Sequence, residues 1–309
     1  MDRGCYDTLF QLKLPDVHLI ALEDFEAGDE KLLRAKENRS FLEYYFTCTP
    51  SLLLFIFGAF PEVDRVTYLD ADLFFFANPE PIFEEICDRS VAIIGHRFPP
   101  HLRHLEKFGI YNVGWLSFKR DEHGIACLHW WREQCIEWCY DRVEDGRYAD
   151  QRYLDTWPGR FPSVVVLRHK GANLAPWNVS NYKIREDGGR IWVDEQPLIF
   201  FHFHGLKKVN TWLYGHNLAV YGVRMSSTVL RSIYAPYFAN LLNVSQELLP
   251  FFPQASPGSS LRYQTRELSA PSQQMRPLRR IARSLRWRLH LCREILARNY
   301  LVVINGRVL

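Results

Sequence analysis

No charged-then-apolar leader opens the chain: Met1-Asp2-Arg3-Gly4-Cys5-Tyr6-Asp7 has no such pattern, and a signal peptide is not expected. Long apolar runs are also missing. The longest, Leu52 to Phe60, falls short of the roughly 20 residues a helix needs to cross a bilayer, so no membrane span is expected. The seven cysteines are odd in number and keep no paired spacing, which argues against a disulfide-built secreted domain. No period of about 20–50 residues repeats, which argues against a solenoid or propeller. Basic excess is scarce as well. Residues 1–257 hold 27 Lys/Arg against 33 Asp/Glu, and only residues 258–309, with 11 against 2, are basic. A nucleic-acid partner is therefore not expected. These absences leave a soluble protein of a reducing, cytoplasmic compartment.

Apolar and aromatic mass is plentiful. At 47% hydrophobic and 15% aromatic, 309 residues can bury a large core. Strand-like segments (16–23, 65–70, 91–95, 113–118, 164–167, 197–203) alternate with helix-like ones (29–60 with a break at Pro50, 79–87, 121–140, 150–157). That alternation predicts α/β architecture with a mainly parallel sheet. Cys127, Cys135 and Cys139 fall on the 121–140 helix beside Trp130, Trp131 and Trp138, where buried thiols act as small hydrophobes rather than metal ligands. The organisation read from composition is a domain over 1–252, a Ser/Pro/Gln/Arg-rich linker over 253–277, and a helical extension over 278–309. In that extension Leu278, Ile281, Leu285, Leu289, Cys292 and Leu296 form one apolar stripe among arginines.

Two clusters offer chemistry. Tyr68-Leu69-Asp70-Ala71-Asp72 places two carboxylates at the C-terminal end of a buried strand, where ligands of α/β sheets bind. Residues i and i+2 of a strand share a face, so both could converge on one hard divalent cation, although a solvated turn has the same pattern. His202-Phe203-His204-Gly205-Leu206-Lys207-Lys208 follows a second apolar run. Imidazole suits Mn²⁺ and lysine suits phosphate, while a core histidine beside a solvated turn is the plain alternative.

Together, Asp70-Ala71-Asp72 and His202-Phe203-x-Gly205-x-x-Lys208 resemble the Asp-x-Asp and His-x-x-Gly-x-x-Lys pair of glycosyltransferase family 8. Tyr111-Asn112-Val113-Gly114-Trp115 resembles that family's Asn-x-Gly segment, and Asp150-Gln151-Arg152-Tyr153-Leu154 its Asp-Gln-x-x-Leu segment. The order is kept over roughly residues 16–210; the family's usual Pro-Trp after the lysine is here Val209-Asn210. The resemblance implies a GT-A fold: a Rossmann-like mixed sheet flanked by helices. It implies a metal-dependent hexosyl transfer from a nucleotide-diphosphate sugar, of UDP type, to an acceptor hydroxyl with retention. Asp70, Asp72 and His202 would hold Mn²⁺ or Mg²⁺. Asn112, Gly114, Gly205 and Lys208 would bind the donor, Asp150 would meet sugar hydroxyls, and Gln151 would sit under the anomeric carbon. His169, Asn173 and Trp177, in the loop Lys170 to Asn178 or beside it, are acceptor-side or loop candidates. The acceptor class is a glycan or a lipid-linked glycan, with residues 278–298 as a peripheral anchor on the inner face of a membrane.

The resemblance begins at the second strand of such a fold, with 16–23 in that place, so a domain short of its first, central strand is expected. Two rival readings share the same residues: a non-catalytic sugar-nucleotide-binding relative or gene remnant, and a metal-dependent phosphohydrolase. The Asn112–Gly114 and Asp150–Gln151 segments have no place in the second.

Overall fold

The computed structural model describes residues 1–251, 299–304 and 307–308. The linker over 253–277 and the basic helix over 278–298 lie outside the described residues. Two compact units are present: Met1–Asn181 with Glu195–His202, and Tyr182–Asp194 with Phe203–Leu309.

The first unit opens with helices α1 (Arg3–Gln11), α2 (Leu22–Glu26), α3 (Glu30–Glu37) and α4 (Phe41–Ala59). No strand forms over 16–23. Asp16 has a left-handed φ of 58°, which breaks an extended run, and Glu23 and Asp24 favour the first turn of α2. The helix break falls at Ser40 rather than Pro50. Ser40 and Glu43 form a capping box that starts α4, and Pro50 is carried inside it. This lengthens the apolar run: α4 is 19 residues, long and apolar enough by composition to cross a membrane, with 44% of its apolar window buried. Within the unit it packs against α3 and against the later helix Glu122–Glu137.

Next come β1 (Arg65–Leu69), β2 (Leu73–Phe75), α5 (Glu80–Ile86), β3 (Val91–Gly95), β4 (Tyr111–Lys119), α6 (Glu122–Glu137), α7 (Trp157–Arg160) and β5 (Val164–Leu167). The sheet runs β1-β4-β3-β5, with β4 antiparallel to both neighbours and β3 parallel to β5. It is mixed, not mainly parallel. The β3–β4 link is a 3₁₀ turn, Pro100–Phe108, that returns the chain directly instead of crossing over. Every residue of β3 is buried, as a strand covered on both faces requires. Val91 and Ile93 meet Leu53, Phe57, Leu128 and Trp131 from α4 and α6, while Ala92 and Ile94 meet Ile82, Ile86, Ile199 and Phe200. Cys127, Cys135 and Cys139 lie fully buried in the first of these layers. Arg120 closes the end of α4 by donating to the carbonyls of Phe57 (2.8 Å), Phe60 (2.6 Å) and Val63 (2.6 Å).

The chain then makes a hairpin of the second unit, β6 (Ile184–Asp187) and β7 (Arg190–Val193), and returns through β8 (Gln196–Pro197) to β9 (Phe200–His202). Strand β9 pairs antiparallel with β2, setting Leu73 opposite His202. The rest of the second unit is a sheet ordered β10 (Lys207–Lys208), β11 (Leu213–Gly215), β12 (Tyr300–Ile304) and β13 (Arg307–Val308), with helices α8 (Ser227–Val229) and α9 (Ala235–Leu248). Its buried side chains include Leu213, Leu218, Ile233, Tyr234 and Phe238. The described residues after position 298 are thus strands of this sheet, not a continuation of the expected helical extension.

Candidate functional site

The register of two short strands assembles the site. Asp72 immediately precedes Leu73, and Leu73 faces His202, so the pairing of β2 with β9 brings carboxylate and imidazole together. His202 Nε2 lies 2.9 Å from Asp72 Oδ1 and 3.7 Å from Asp70 Oδ2. The two carboxylates do not share a strand face, because β1 ends at Leu69 and both sit in the turn that follows. They converge from that turn. The Asp70 N–H donates to Gly114 O (3.2 Å), and the Tyr68 hydroxyl donates to Asp70 Oδ1 (2.9 Å). Burial raises the Asp70 carboxyl above its ordinary value; His202 and the Tyr68 hydroxyl oppose this and Asp72 adds to it. The His202 side chain is 3% exposed and Asp72 45%, so the imidazole forms the floor and the carboxylate the rim. Carboxylate oxygens beside an imidazole nitrogen are a donor set for a hard or borderline divalent cation.

Beneath this group the expected donor residues form a connected layer. Asn112 Nδ2 donates to Gln151 Oε1 (3.2 Å), and Asn112 Oδ1 accepts from the Gly114 N–H (3.2 Å). Gln151 Oε1 also accepts from the Val113 N–H, while its Nε2 donates to Phe108 O (2.9 Å). Its amide oxygen is therefore engaged by two donors of the chain, which fixes the side chain's orientation. Gly114 has no room for a side chain. A Cβ there would stand 2.6 Å from Asn112 Oδ1 and 3.0 Å from the His202 ring. Asp150 is buried, with its main-chain oxygen accepting from Trp131 Nε1 (2.8 Å) and its carboxyl close to the Thr49 hydroxyl. Burial, followed by the Asp70 charge, pushes the Asp150 carboxyl up to about 8. The Thr49 hydroxyl, which donates to the Tyr45 carbonyl within α4 (3.4 Å), also lies close to Tyr68.

The loop candidates are placed differently from one another. Asn173 is fully buried, with Nδ2 donating to Gly95 O (3.3 Å) and Oδ1 facing His202 Nδ1 (3.3 Å). Trp177, 2% exposed, donates to His96 O (2.9 Å) and sets its ring edge-to-face with His202, centroids 5.1 Å apart. Both stand behind the imidazole rather than presenting a surface to a sugar. His169 anchors the loop: its N–H donates to Glu85 Oε2 (3.1 Å), its Nδ1 accepts from the Gly171 N–H (3.2 Å), and burial lowers its pKa. Sequence reasoning missed Tyr68, Thr49 and Gly95. Only Tyr68, two residues before Asp70, lay close enough in sequence to be suspected.

Gly205 and Lys208 belong to the second unit. Gly205 has φ 70°, and a Cβ there would stand 2.2 Å from the Asn217 amide, so a side chain is excluded. Lys208 is exposed on β10, opposite Tyr214.

No family model matches the chain. The protein YfnD of Bacillus subtilis (strain 168), described as uncharacterized, is 33% identical over 261 residues, which is 84% of this chain and 83% of YfnD. YfnF of the same strain, also described as uncharacterized, is 37% identical over 218 residues, 68% of this chain and 71% of YfnF. The chain belongs to the family of these two proteins. Among solved structures, a glycosyltransferase involved in glycosylation of the major capsid of PBCV-1 matches with a TM-score of 0.37 and 10% identity, over 62% of this chain and 91% of that one.

Proposed function

We propose that the chain is a metal-dependent glycosyltransferase of GT-A type, moving a hexose from a UDP-type nucleotide-diphosphate donor to an acceptor hydroxyl with retention. The observation that carries this reading is the convergence of Asp70 and Asp72 on the buried His202. The Asn112–Gln151 layer lies directly beneath that group, through Gly114. Residues from four sequence segments that resemble one family's donor site thus meet within one unit: Asp70 with Asp72, Asn112 with Gly114, Gln151, and His202.

The residues fit a bound cation. Asp70, Asp72 and His202 would hold Mn²⁺ or Mg²⁺. When bound, the cation supplies Lewis-acid charge to the two phosphates of the donor. The chain's own groups do the rest. His202, held from behind by Asn173 and Trp177, keeps the ligand geometry fixed before substrate arrives. Gly114 lets the Asn112 amide and the His202 ring close over the backbone, and Asn112 keeps Gln151 in one orientation under the anomeric carbon. Asp150, with its carboxyl near 8, is largely protonated at neutral pH and can donate a hydrogen bond to a sugar hydroxyl. Lys208, six residues beyond His202, would place positive charge on the leaving diphosphate. The acceptor is a glycan or a lipid-linked glycan at the cytoplasmic face of a membrane, with the stripe over 278–298 as the attachment.

A panel of nucleotide sugars with Mn²⁺ tests this reading, with the full chain compared against Asp72→Ala. Transfer to a glycan acceptor that falls at least about a hundredfold in the variant, the loss typical of removing a key electrostatic group, supports it. Turnover of no donor by the wild type sinks it. Phosphate release from simple phosphoesters, with no transfer, turns the site toward the phosphohydrolase reading.

A further inference from the structure

A hydrogen-bond relay that starts outside the site determines which nitrogen of His202 faces the carboxylates. Gly95 O, at the end of β3, can only accept. The Asn173 amide nitrogen therefore faces it, at 3.3 Å, and this fixes the otherwise ambiguous amide orientation. Asn173 Oδ1 is then the atom 3.3 Å from His202 Nδ1. An amide oxygen has no proton to give, so the proton in that contact belongs to Nδ1. The lone pair of the neutral ring is left on Nε2, the nitrogen that points at Asp72 Oδ1 (2.9 Å) and Asp70 Oδ2 (3.7 Å). With the ring neutral, Nε2 and the two carboxylate oxygens are turned toward one point, the arrangement in which a divalent cation is held.

The surrounding backbone holds this relay still. Asn173 has a φ of 56°, in the left-handed region that asparagine tolerates better than most residues. Its carbonyl accepts from Asn178 Nδ2 (2.9 Å). The His202 N–H donates to Leu174 O (2.8 Å), and Leu174 bridges Phe201 in parallel, so loop and strand are registered next to the relay. Gly171 admits the Pro197 backbone so closely that a Cβ would stand 1.8 Å from the Pro197 oxygen, which pins the loop's other end.

We infer that Asn173 is the positioning residue of the cation site: it holds His202 as the Nδ1–H tautomer and presents Nε2 as the ligand atom. The inference rests on the cation-site reading and adds which nitrogen serves and what selects it. Metal-ligating histidines commonly donate their second N–H to an acceptor behind them, and loss of such a partner costs about 10–100-fold in metal affinity.

The test uses the full chain labelled with ¹⁵N-histidine. Long-range ¹H–¹⁵N correlation at alkaline pH reads the tautomer, with His202 assigned by comparison with His202→Gln. Mn²⁺ affinity is measured in parallel by titration. Wild type is expected as Nδ1–H. Asn173→Ala should lose that preference and bind Mn²⁺ at least about tenfold more weakly. Asn173→Asp keeps an acceptor facing Nδ1 but gives up the amide N–H that Gly95 O accepts, so it should retain the Nδ1–H tautomer that Asn173→Ala loses, which a merely structural role would not produce. A wild-type Nε2–H tautomer overturns the inference without any variant, and so does Asn173→Ala with unchanged tautomer and affinity within twofold. Mn²⁺ binding through an Nε2–H ring removes the positioning role alone. An Nδ1–H ring in a protein that binds no Mn²⁺ sinks the cation-site reading and this role with it.

Discussion

Replacing Asp150 with asparagine removes an ionisable group from the core while keeping its shape. In the folded protein the carboxyl titrates near 8, against 3.8 for an unperturbed aspartate, because burial and the Asp70 charge both disfavour its ionised form. The folded state therefore binds a proton that the unfolded chain gives up. The associated stability is fully present below about pH 4 and is lost as pH rises toward 8. A difference of about four pH units corresponds to on the order of 5 kcal/mol over the whole range. That is comparable with the total stability of many domains, about 5–15 kcal/mol. Urea unfolding from pH 5 to 8.5, without divalent cations, should show wild type losing several kcal/mol relative to Asp150→Asn, the difference growing with pH. Adding Mn²⁺ should shrink it, because neutralising Asp70 removes the second cause of the shift. Parallel pH profiles for the two proteins would refute the buried-carboxyl argument. A difference indifferent to Mn²⁺ would refute the coupling to Asp70.

Four further substitutions probe separate links. Tyr68→Phe takes from Asp70 its 2.9 Å donor, so the carboxyl should rise further above its ordinary value and Mn²⁺ affinity at pH 7 should fall a few-fold. Equal affinities would show that the hydroxyl does not matter to the site. Gly114→Ala drives a Cβ into Asn112 and the His202 ring and should cost about 1–3 kcal/mol by urea unfolding, together with Mn²⁺ affinity. Gly58→Ala, in α4 with nothing within 4 Å, should instead stabilise by about 0.5–1 kcal/mol. Arg120→Met strips the caps from three carbonyls at the end of α4 and should cost about 2–4 kcal/mol, read as a lower urea midpoint with an unchanged slope.

Much of the first unit was legible because its signals are local. The fully apolar Val91–Gly95 announced a strand buried on both faces, and Asp121 before an amphipathic run announced α6, whose N-cap it is. The sheet's sense was not legible. Whether β4 runs with or against β3 depends on the shape of the 100–108 connection, which reads in sequence as an ordinary Pro-rich loop. The helix boundary at Ser40 was legible in principle, since Ser-x-x-Glu is a start signal, but Pro50 is the louder mark. The strand expected over 16–23 failed although most of its residues are apolar: the left-handed Asp16 stands at its start, and Leu22 and Glu23 are taken into α2. The small β10–β13 sheet could not be read at all: β12 pairs with β11 from almost ninety residues away in sequence, and no local pattern encodes a partner at that range.

The site divides along the same line. Residue types were legible, since carboxylates two apart after a strand and an imidazole after another are rare enough together to single out Asp70, Asp72 and His202. Their relation was not. Alternation on one strand was the sequence argument for convergence, whereas the structure achieves it with a turn and the pairing of Leu73 with His202. The roles of Asn173 and Trp177 changed for the same reason. A Gly/Asn/Pro loop near a sugar site suggests contacts with sugar, but pairing with β9 turns this loop inward, and its polar side chains are consumed in holding His202. Local sequence thus names the groups that carry chemistry, while the atom each one presents is chosen by partners far along the chain. Here that choice passes from Gly95 through Asn173 to Nε2 of His202, across residues 78 and 29 positions apart. For that reason the tautomer of one histidine tests the assembled site more sharply than deleting a ligand would.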